Sequence, residues 1–126
     1  MNKKNKTILI VEDEASLRNV LRDKLESENF SALVAENGKK GLALALSAHP
    51  DLILIDIIVP VMDGIVMLEK IRADAWGKTA KVIILTNLND REKDVRDIEG
   101  AHYDYLIKSD WTISAIVEKI RERLKK

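Results

Sequence analysis

Five short apolar runs, each followed by a helix-like pattern, constrain the fold of this 126-residue chain more than any other feature. Runs this short and rich in branched side chains are typical of the buried strands of a parallel sheet. The predicted strands are Thr7–Val11, Ala32–Ala35, Leu52–Ile55, Lys81–Leu85 and Tyr105–Ile107. Strict alternation of strand and helix implies right-handed crossovers, with helices covering both faces of the sheet.

Five such units in 126 residues predict a flavodoxin-like α/β fold. Its doubly wound parallel sheet should have the strand order 2-1-3-4-5 and five helices. Leu17, Leu21 and Leu25 recur every four residues and predict the first helix. The second is expected over Gly41–Ala48 after an Asn-Gly turn, and the third after Asp63 as N-cap. The last is marked by a helical apolar repeat from Ile113 to Leu124, with Thr112 or Asp110 at its start.

The fourth helix, at about Arg91–Glu99, differs from the others because only Val95 and Ile98 are strongly apolar. A helix that buries so little is expected to be the least firmly held element of the fold.

Composition excludes several classes of function. Lys plus Arg and Asp plus Glu are equal at 21 each, so no overall charge attracts nucleic acid or anionic membrane. There is no cysteine, which removes disulfides and thiolate chemistry. No apolar stretch reaches the ~20 residues that span a bilayer, and the polar start is not a signal peptide. We therefore expect one cytoplasmic domain over residues 1–126, with a flexible N-terminus over residues 1–6 and no output domain.

Polar residues directly follow several of the predicted strands. The carboxyl ends of parallel strands lie at one rim of the sheet, and sheets of this kind bind their ligands at that rim. Asp56 ends the most apolar run of the chain, so its buried charge requires a partner. The residues expected at the rim are Glu12-Asp13-Glu14, Asp56, Thr86-Asn87 and Lys108. Acids and a lysine meeting in one crevice mark a candidate functional site.

The residue types at this rim suit phosphoryl chemistry. Glu12, Asp13 and Asp56 together suit a hard cation bound through oxygen, with Mg²⁺ the natural choice beside a phosphate. Thr86 can donate a hydrogen bond to a phosphoryl oxygen, and Lys108 can balance its charge. An aspartate beside such a metal can act as a nucleophile and form an aspartyl-phosphate.

From Thr7 to Lys125 the chain resembles a response-regulator receiver domain, the family of the chemotaxis regulator CheY. The residues that carry the resemblance are Glu12-Asp13, Asp56, Pro60, Asp63-Gly64, Thr86, Tyr105 and Lys108. The resemblance implies a two-component system in which Asp56 accepts a phosphoryl group from a sensor histidine kinase or a phosphotransfer protein. It also implies Mg²⁺ held by Asp13, Asp56 and the backbone carbonyl of Ile58, with Glu12 acting through water.

The same resemblance implies that Thr86 and Tyr105 form the switch, and that the domain is a phosphoacceptor rather than an enzyme. Phosphorylation would alter the face made by helix 4, strand 5 and helix 5. That face would bind an unknown downstream target or a second copy of the domain, with no direct contact to nucleic acid or membrane. An ordinary half-buried strand tyrosine remains the alternative interpretation of Tyr105.

Four positions depart from the pattern of that family. Asn87 stands where Ala or Gly is usual, Ile58 and Leu88 where polar side chains are frequent, and Ser109 where proline is usual. A non-proline cis bond costs about 3–4 kcal/mol, so we expect a trans bond between Lys108 and Ser109.

Three alternatives share parts of this pattern. A flavin-binding protein would need a Ser/Thr/Gly loop after strand 1, where this chain has Glu12-Asp13-Glu14. An aspartate-nucleophile phosphatase of the haloacid-dehalogenase type would need a second acid where Ile58 lies. The strongest alternative is a degenerate receiver that binds partners without being phosphorylated, and the full set of rim residues argues against it.

Overall fold

The computed structural model describes residues 5–88, 91–98 and 103–125. Over these residues five parallel strands form one sheet in the order β2-β1-β3-β4-β5, which confirms the predicted fold. The strands are β1 (Thr7–Val11), β2 (Ser31–Ala35), β3 (Leu52–Ile55), β4 (Val82–Thr86) and β5 (Tyr103–Ile107). The helices are α1 (Ala15–Ser27), α2 (Gly38–Ala48), α3 (Gly64–Ala73), α4 (Glu92–Arg96) and α5 (Ile113–Leu124). Short 3₁₀ turns span Trp76–Thr79 and Lys108–Asp110.

Side chains alternate between two apolar layers on opposite faces of the sheet, as the period of two residues in a strand requires. Ile53 and Ile55 of β3 pack with residues of α2, α3 and α4 in one layer. Leu52 and Leu54 of the same strand pack with residues of α1 and α5 in the other. Every residue of β3 is buried, so this strand lies at the centre of the domain.

Several predicted boundaries were wrong by a few residues. The second helix begins at Gly38 rather than Gly41, because the Asn37 side chain accepts a hydrogen bond from the amide of Lys40 at 2.8 Å. The fourth strand ends at Thr86, which pairs with Ile107 of β5. The second and fifth strands begin earlier than predicted, at Ser31 and Tyr103. Helix caps at Asp63 and Thr112 are confirmed, since both side chains accept amide hydrogen bonds.

Within the described residues the fourth helix is the shortest α-helix, with five residues in Glu92–Arg96. Its predicted end at Glu99 lies outside the described residues. Its predicted apolar anchors, Val95 and Ile98, are both buried in the layer that contains α2 and α3. A helix of this length has little stability of its own, so packing of these two side chains holds it in place.

The register of the sheet brings the carboxyl ends of its central strands together. Val11 of β1 pairs with Ile55 of β3, and the next residues on each strand are Glu12 and Asp56. The site predicted from the sequence therefore lies at this rim. In the part of the chain that the structure describes, no helix has the length and apolar character to cross a membrane.

Candidate functional site

Asp56 lies directly after the central strand β3 and is only 6% exposed. Its amide donates to the carbonyl of Val11 at 3.1 Å, which ties it to β1. One carboxylate oxygen, Oδ1, accepts a hydrogen bond from the amide of Ile58 at 3.1 Å. The other, Oδ2, accepts one from Nζ of Lys108 at 2.7 Å. The carboxyl group of Asp56 is therefore buried, and both of its oxygens have hydrogen-bond partners.

Lys108 bridges two of the acids. Its Nζ lies 2.7 Å from Oδ2 of Asp56 and 2.9 Å from Oε1 of Glu12. Burial alone would lower the pKa of Lys108, but the hydrogen bonds to Asp56 and Glu12 outweigh burial and raise that pKa. Lys108 is therefore a fixed positive charge at this rim, as the sequence predicted.

Glu12, Asp13 and Asp56 form an acidic cluster in which one oxygen from each lies within 4.8 Å of the others. Glu12 is 2% exposed, and its Oε2 accepts a hydrogen bond from the amide of Glu14 at 3.0 Å. Burial raises the pKa of Glu12 above its ordinary value of 4.5, although the hydrogen bond from Lys108 partly opposes this. Asp13, in contrast, is exposed to solvent.

These residues fit a hard divalent cation. Three carboxylates and one ammonium leave two negative charges without a counter-charge, which matches the charge of Mg²⁺. All the clustered side-chain ligands are oxygens, the donor type that Mg²⁺ prefers, and exposed Asp13 leaves the site open to solvent. Because Mg²⁺ keeps several waters, an incomplete protein shell of this kind is suitable for it.

The loop after β3 is held close to the strand by Gly64. The amide of Gly64 donates to the carbonyl of Ile57 at 2.9 Å. A Cβ at Gly64 would lie 2.5 Å from the carbonyl oxygen of Asp56, so any side chain here would push α3 away from the site. Val61, in the same loop, has φ 70°, a left-handed conformation that is unfavourable for a β-branched residue. The loop that shapes the surroundings of Asp56 is therefore tightly constrained.

The predicted switch residues are connected through one residue, Leu88. Thr86 is fully buried at the end of β4, and its hydroxyl accepts a long hydrogen bond of 3.4 Å from the amide of Leu88. The hydroxyl of Tyr105, on the neighbouring strand β5, donates to the carbonyl of Leu88. A displacement of Leu88 would therefore change the hydrogen bonds of both Thr86 and Tyr105.

The four positions that depart from the family pattern differ in their exposure to solvent. Ile58 is 56% exposed, Asn87 and Ser109 are also exposed, and Leu88 is half-buried against the apolar layer. The bond between Lys108 and Ser109 is trans, as predicted, since no cis bond occurs in the described ranges.

One contact at the site was missed from the sequence. Nη1 of Arg18 on α1 donates to the carbonyl of Glu12 at 2.9 Å and lies 3.4 Å from the carbonyl of Asp13. The sequence feature that could have indicated this contact is the position of Arg18 in the first turn of α1. The helix dipole disfavours positive charge there, so a cation at that position needs acceptors nearby.

Comparison with known proteins identifies the family. The model of the response regulator receiver domain matches residues 8–121. The chain is 39% identical over 109 residues to the transcriptional regulatory protein ResD of Bacillus subtilis, covering 86% of this chain and 44% of ResD. Among solved structures, a CheY-like receiver domain protein of Methanospirillum hungatei superposes with a TM-score of 0.84 at 30% identity, covering 96% and 94% of the two chains.

A second structural neighbour is the receiver domain of the sensor histidine kinase PA1611 of Pseudomonas aeruginosa, with a TM-score of 0.85 at 24% identity, covering 97% and 99% of the two chains. That structure is described as having a magnesium ion coordinated in its active-site cleft, and the likeness at this identity shows the fold alone.

The chain belongs to the response regulator receiver domain family of two-component systems, because the family model covers most of its length. It spans about half the length of the curated relatives it matches, such as 44% of ResD and 54% of the DNA-binding response regulator MtrA of Mycobacterium tuberculosis.

Proposed function

We propose that this domain is a phosphoacceptor switch in which Asp56 takes a phosphoryl group from a sensor histidine kinase or a phosphotransfer protein in a Mg²⁺-dependent reaction. The observation that carries the proposal is the geometry of Asp56. Its carboxylate is buried at a sheet rim, paired with Lys108 at 2.7 Å, and clustered with two further acids. A purely structural carboxylate would not need those two additional acids.

In the proposed reaction a carboxylate oxygen of Asp56 attacks the phosphorus of a phosphohistidine. A new O–P bond forms, the P–N bond breaks, and the imidazole leaves with the electron pair and takes up a proton. Lys108 already contacts Asp56 and remains protonated, so it is placed to balance charge on the transferred phosphoryl oxygens. Thr86, at the end of β4, would donate its hydroxyl hydrogen bond to one of those oxygens.

The proposed metal ligands are Asp13, Asp56 and the carbonyl of Ile58, with Glu12 acting through water. When bound, Mg²⁺ would neutralise the negative charge that otherwise keeps an anionic phosphoryl donor away from three carboxylates. The amide of Ile58 hydrogen-bonds Asp56, which fixes the start of the loop that carries the proposed carbonyl ligand.

Incubation with a small phosphodonor, followed by intact mass, tests this function. We expect one added phosphoryl group in the presence of Mg²⁺ and none when the metal is chelated. A chain that stays unmodified under both conditions would instead support the degenerate receiver, which binds partners without phosphorylation.

The contacts of Leu88 support a route for the signal. If Thr86 turns its hydroxyl to a phosphoryl oxygen, its hydrogen bond from the Leu88 amide is lost, and the segment that also holds the Tyr105 hydroxyl is free to move. Leu88 precedes α4 in the sequence, and Val95 within this helix and Ile98 just after it are its buried apolar anchors. Because little packing has to be broken, a few kcal/mol would be enough to shift this helix.

We therefore expect amide hydrogen exchange in α4 to change on binding Mg²⁺ and beryllofluoride, which mimics the phosphorylated state. The amides of Glu92–Arg96 should change protection together with those of β5, whereas α2, on the opposite edge of the sheet, serves as the internal control. Changes restricted to the acidic rim would show that α4 is not the output element.

The lifetime of the phosphorylated state should depend on the apolar residues beside the site. The amide of Ile58 contacts Asp56 and the amide of Leu88 contacts Thr86, so both apolar side chains would flank the approach of water to Asp56, and we expect slow loss of phosphate. Substituting Ile58→Asn and Leu88→Glu together should shorten the lifetime, measured as decay of the phosphorylated mass after the donor is removed. Val61→Asn is the matched control, since Val61 is 75% exposed in the same loop. An unchanged or longer lifetime would contradict water exclusion.

The face formed by α4, β5 and α5 is the proposed binding surface for a downstream target or a second copy of the domain. MtrA, a relative named as DNA-binding, is about twice as long as this chain. The prediction of no direct nucleic-acid contact applies to these 126 residues alone and stays a prediction.

A further inference from the structure

The Arg18 side chain connects helix α1 to the backbone of the acidic pair. Its Nη1 donates to the carbonyl of Glu12 at 2.9 Å and lies 3.4 Å from the carbonyl of Asp13. The amide of Arg18 donates to the carbonyl of Glu14 at 2.9 Å, so the same residue also holds the start of the helix. Arg18 therefore contacts the backbone carbonyls of all three consecutive acids, Glu12, Asp13 and Glu14.

The acidic pair has few other restraints. Glu12 is held by its own amide, which donates to the carbonyl of Ala35 at 3.0 Å, and by contacts of its side chain. Within the described ranges, the Asp13 carboxylate makes no hydrogen bond or ion pair, so its position depends on its backbone. The α1 N-cap, Glu14, also lacks a side-chain capping bond. Among the described residues, Arg18 is the one whose side chain donates a hydrogen bond to the peptide between Glu12 and Asp13.

We infer that Arg18 is a positioning residue for the cation site: by holding the carbonyls of Glu12 and Asp13, it places both carboxylates for binding Mg²⁺. This inference rests on the proposed function. Arg18 occupies the first turn of α1, where the helix dipole disfavours a cation, so its two carbonyl contacts offset an unfavourable location. Groups that orient metal ligands without touching the metal typically contribute 10–100-fold to metal affinity.

Arg18 could affect Mg²⁺ affinity through its charge or through its contacts with the two carbonyls, and these two roles predict opposite changes in affinity when the side chain is removed. A nearby cation repels Mg²⁺, so loss of its charge alone would strengthen Mg²⁺ binding. Loss of the two carbonyl contacts would instead leave Asp13 less well placed and weaken binding. The sign of the change therefore separates the two roles.

The test is calorimetric titration of Mg²⁺ into the wild-type chain and the variants Arg18→Met, Arg18→Lys and Arg22→Met. We expect Arg18→Met to weaken binding about tenfold. Arg18→Lys keeps the charge, but its Nζ lies one bond nearer the backbone than Nη1 of Arg18, so we expect its affinity to lie between that of Arg18→Met and that of the wild type. Arg22→Met is the matched control one turn further along α1, where Arg22 pairs only with its neighbour Asp23 among the described residues. Its affinity should equal that of the wild type.

Equal or tighter binding of Mg²⁺ by Arg18→Met would overturn the inference, and if that variant does not fold, wild-type affinity in Arg18→Lys would overturn it. At saturating Mg²⁺, Arg18→Met should still accept a phosphoryl group, because Asp56 is unchanged. Normal Mg²⁺ binding by Arg18→Met with normal phosphorylation would remove the role of Arg18 and leave the proposed function intact. A wild-type chain that binds no Mg²⁺ would overturn both.

Discussion

Replacing Asp56 with Asn is expected to abolish phosphoryl transfer to this domain completely. The amide keeps the size of the carboxylate and can still accept the hydrogen bond from Ile58, but its nitrogen and oxygen are far weaker nucleophiles than a carboxylate oxygen. Intact mass after incubation with a small phosphodonor and Mg²⁺ should therefore show the unmodified chain.

Asp63→Asn is the matched control for this experiment. Asp63 lies in the same loop, is exposed, and caps α3 through a hydrogen bond from the amide of Val66 at 2.9 Å. Because Asn caps helices about as well as Asp, this variant should fold normally and be phosphorylated like the wild type. A phosphoryl group that still appears in Asp56→Asn would contradict the assignment of the acceptor.

Replacing Asp13 with Ala should remove most of the stabilisation that Mg²⁺ gives to the fold. A ligand at 100 times its dissociation constant stabilises the native state by about 2.7 kcal/mol. We expect the wild type to show an effect of this order between chelator and saturating Mg²⁺, measured by urea unfolding, and Asp13→Ala to show almost none. Phosphorylation of the variant should also be greatly slowed.

Without Mg²⁺ the same variant should be at least as stable as the wild type, because Asp13 lies within 4.8 Å of two other carboxylates and adds repulsion. Asp23→Ala, at an exposed position of α1, is the control and should respond to Mg²⁺ like the wild type. Equal stabilisation of Asp13→Ala and the wild type by Mg²⁺ would show that the metal binds elsewhere.

Most of the fold could be predicted because strands and helices are each marked by a local pattern of apolar residues that can be read within a short stretch of sequence. Thr7–Val11 and Leu52–Ile55 were predicted to the residue, since both runs end abruptly at polar residues. The start of α2 was wrong because the pattern of apolar residues does not show that Asn37 caps the helix three residues earlier. The early start of β5 at Tyr103 depends on its pairing with Val82 of β4, which is a tertiary effect.

The residues of the site could be predicted because parallel strands end at one rim, which turns positions far apart in sequence into neighbours. The contacts between these side chains could not be predicted from the sequence. Nothing in the sequence shows that Lys108 contacts Asp56 and Glu12 simultaneously. Nor does it show that the Arg18 side chain contacts the carbonyls of Glu12 and Asp13. These contacts depend on side-chain directions, which are set only once the helices have packed on the sheet.

The most direct test of the phosphoacceptor assignment is reductive trapping of the acyl phosphate. Borohydride reduces an aspartyl-phosphate to an alcohol but leaves free carboxylates intact, so peptide mapping of the treated protein reports the position that carried the phosphoryl group. We predict one reduced residue, at position 56, after incubation with phosphodonor and Mg²⁺, and none when the metal is chelated. A reduced residue at Asp13 or any other acid, or no reduced residue despite bound Mg²⁺, would contradict the account.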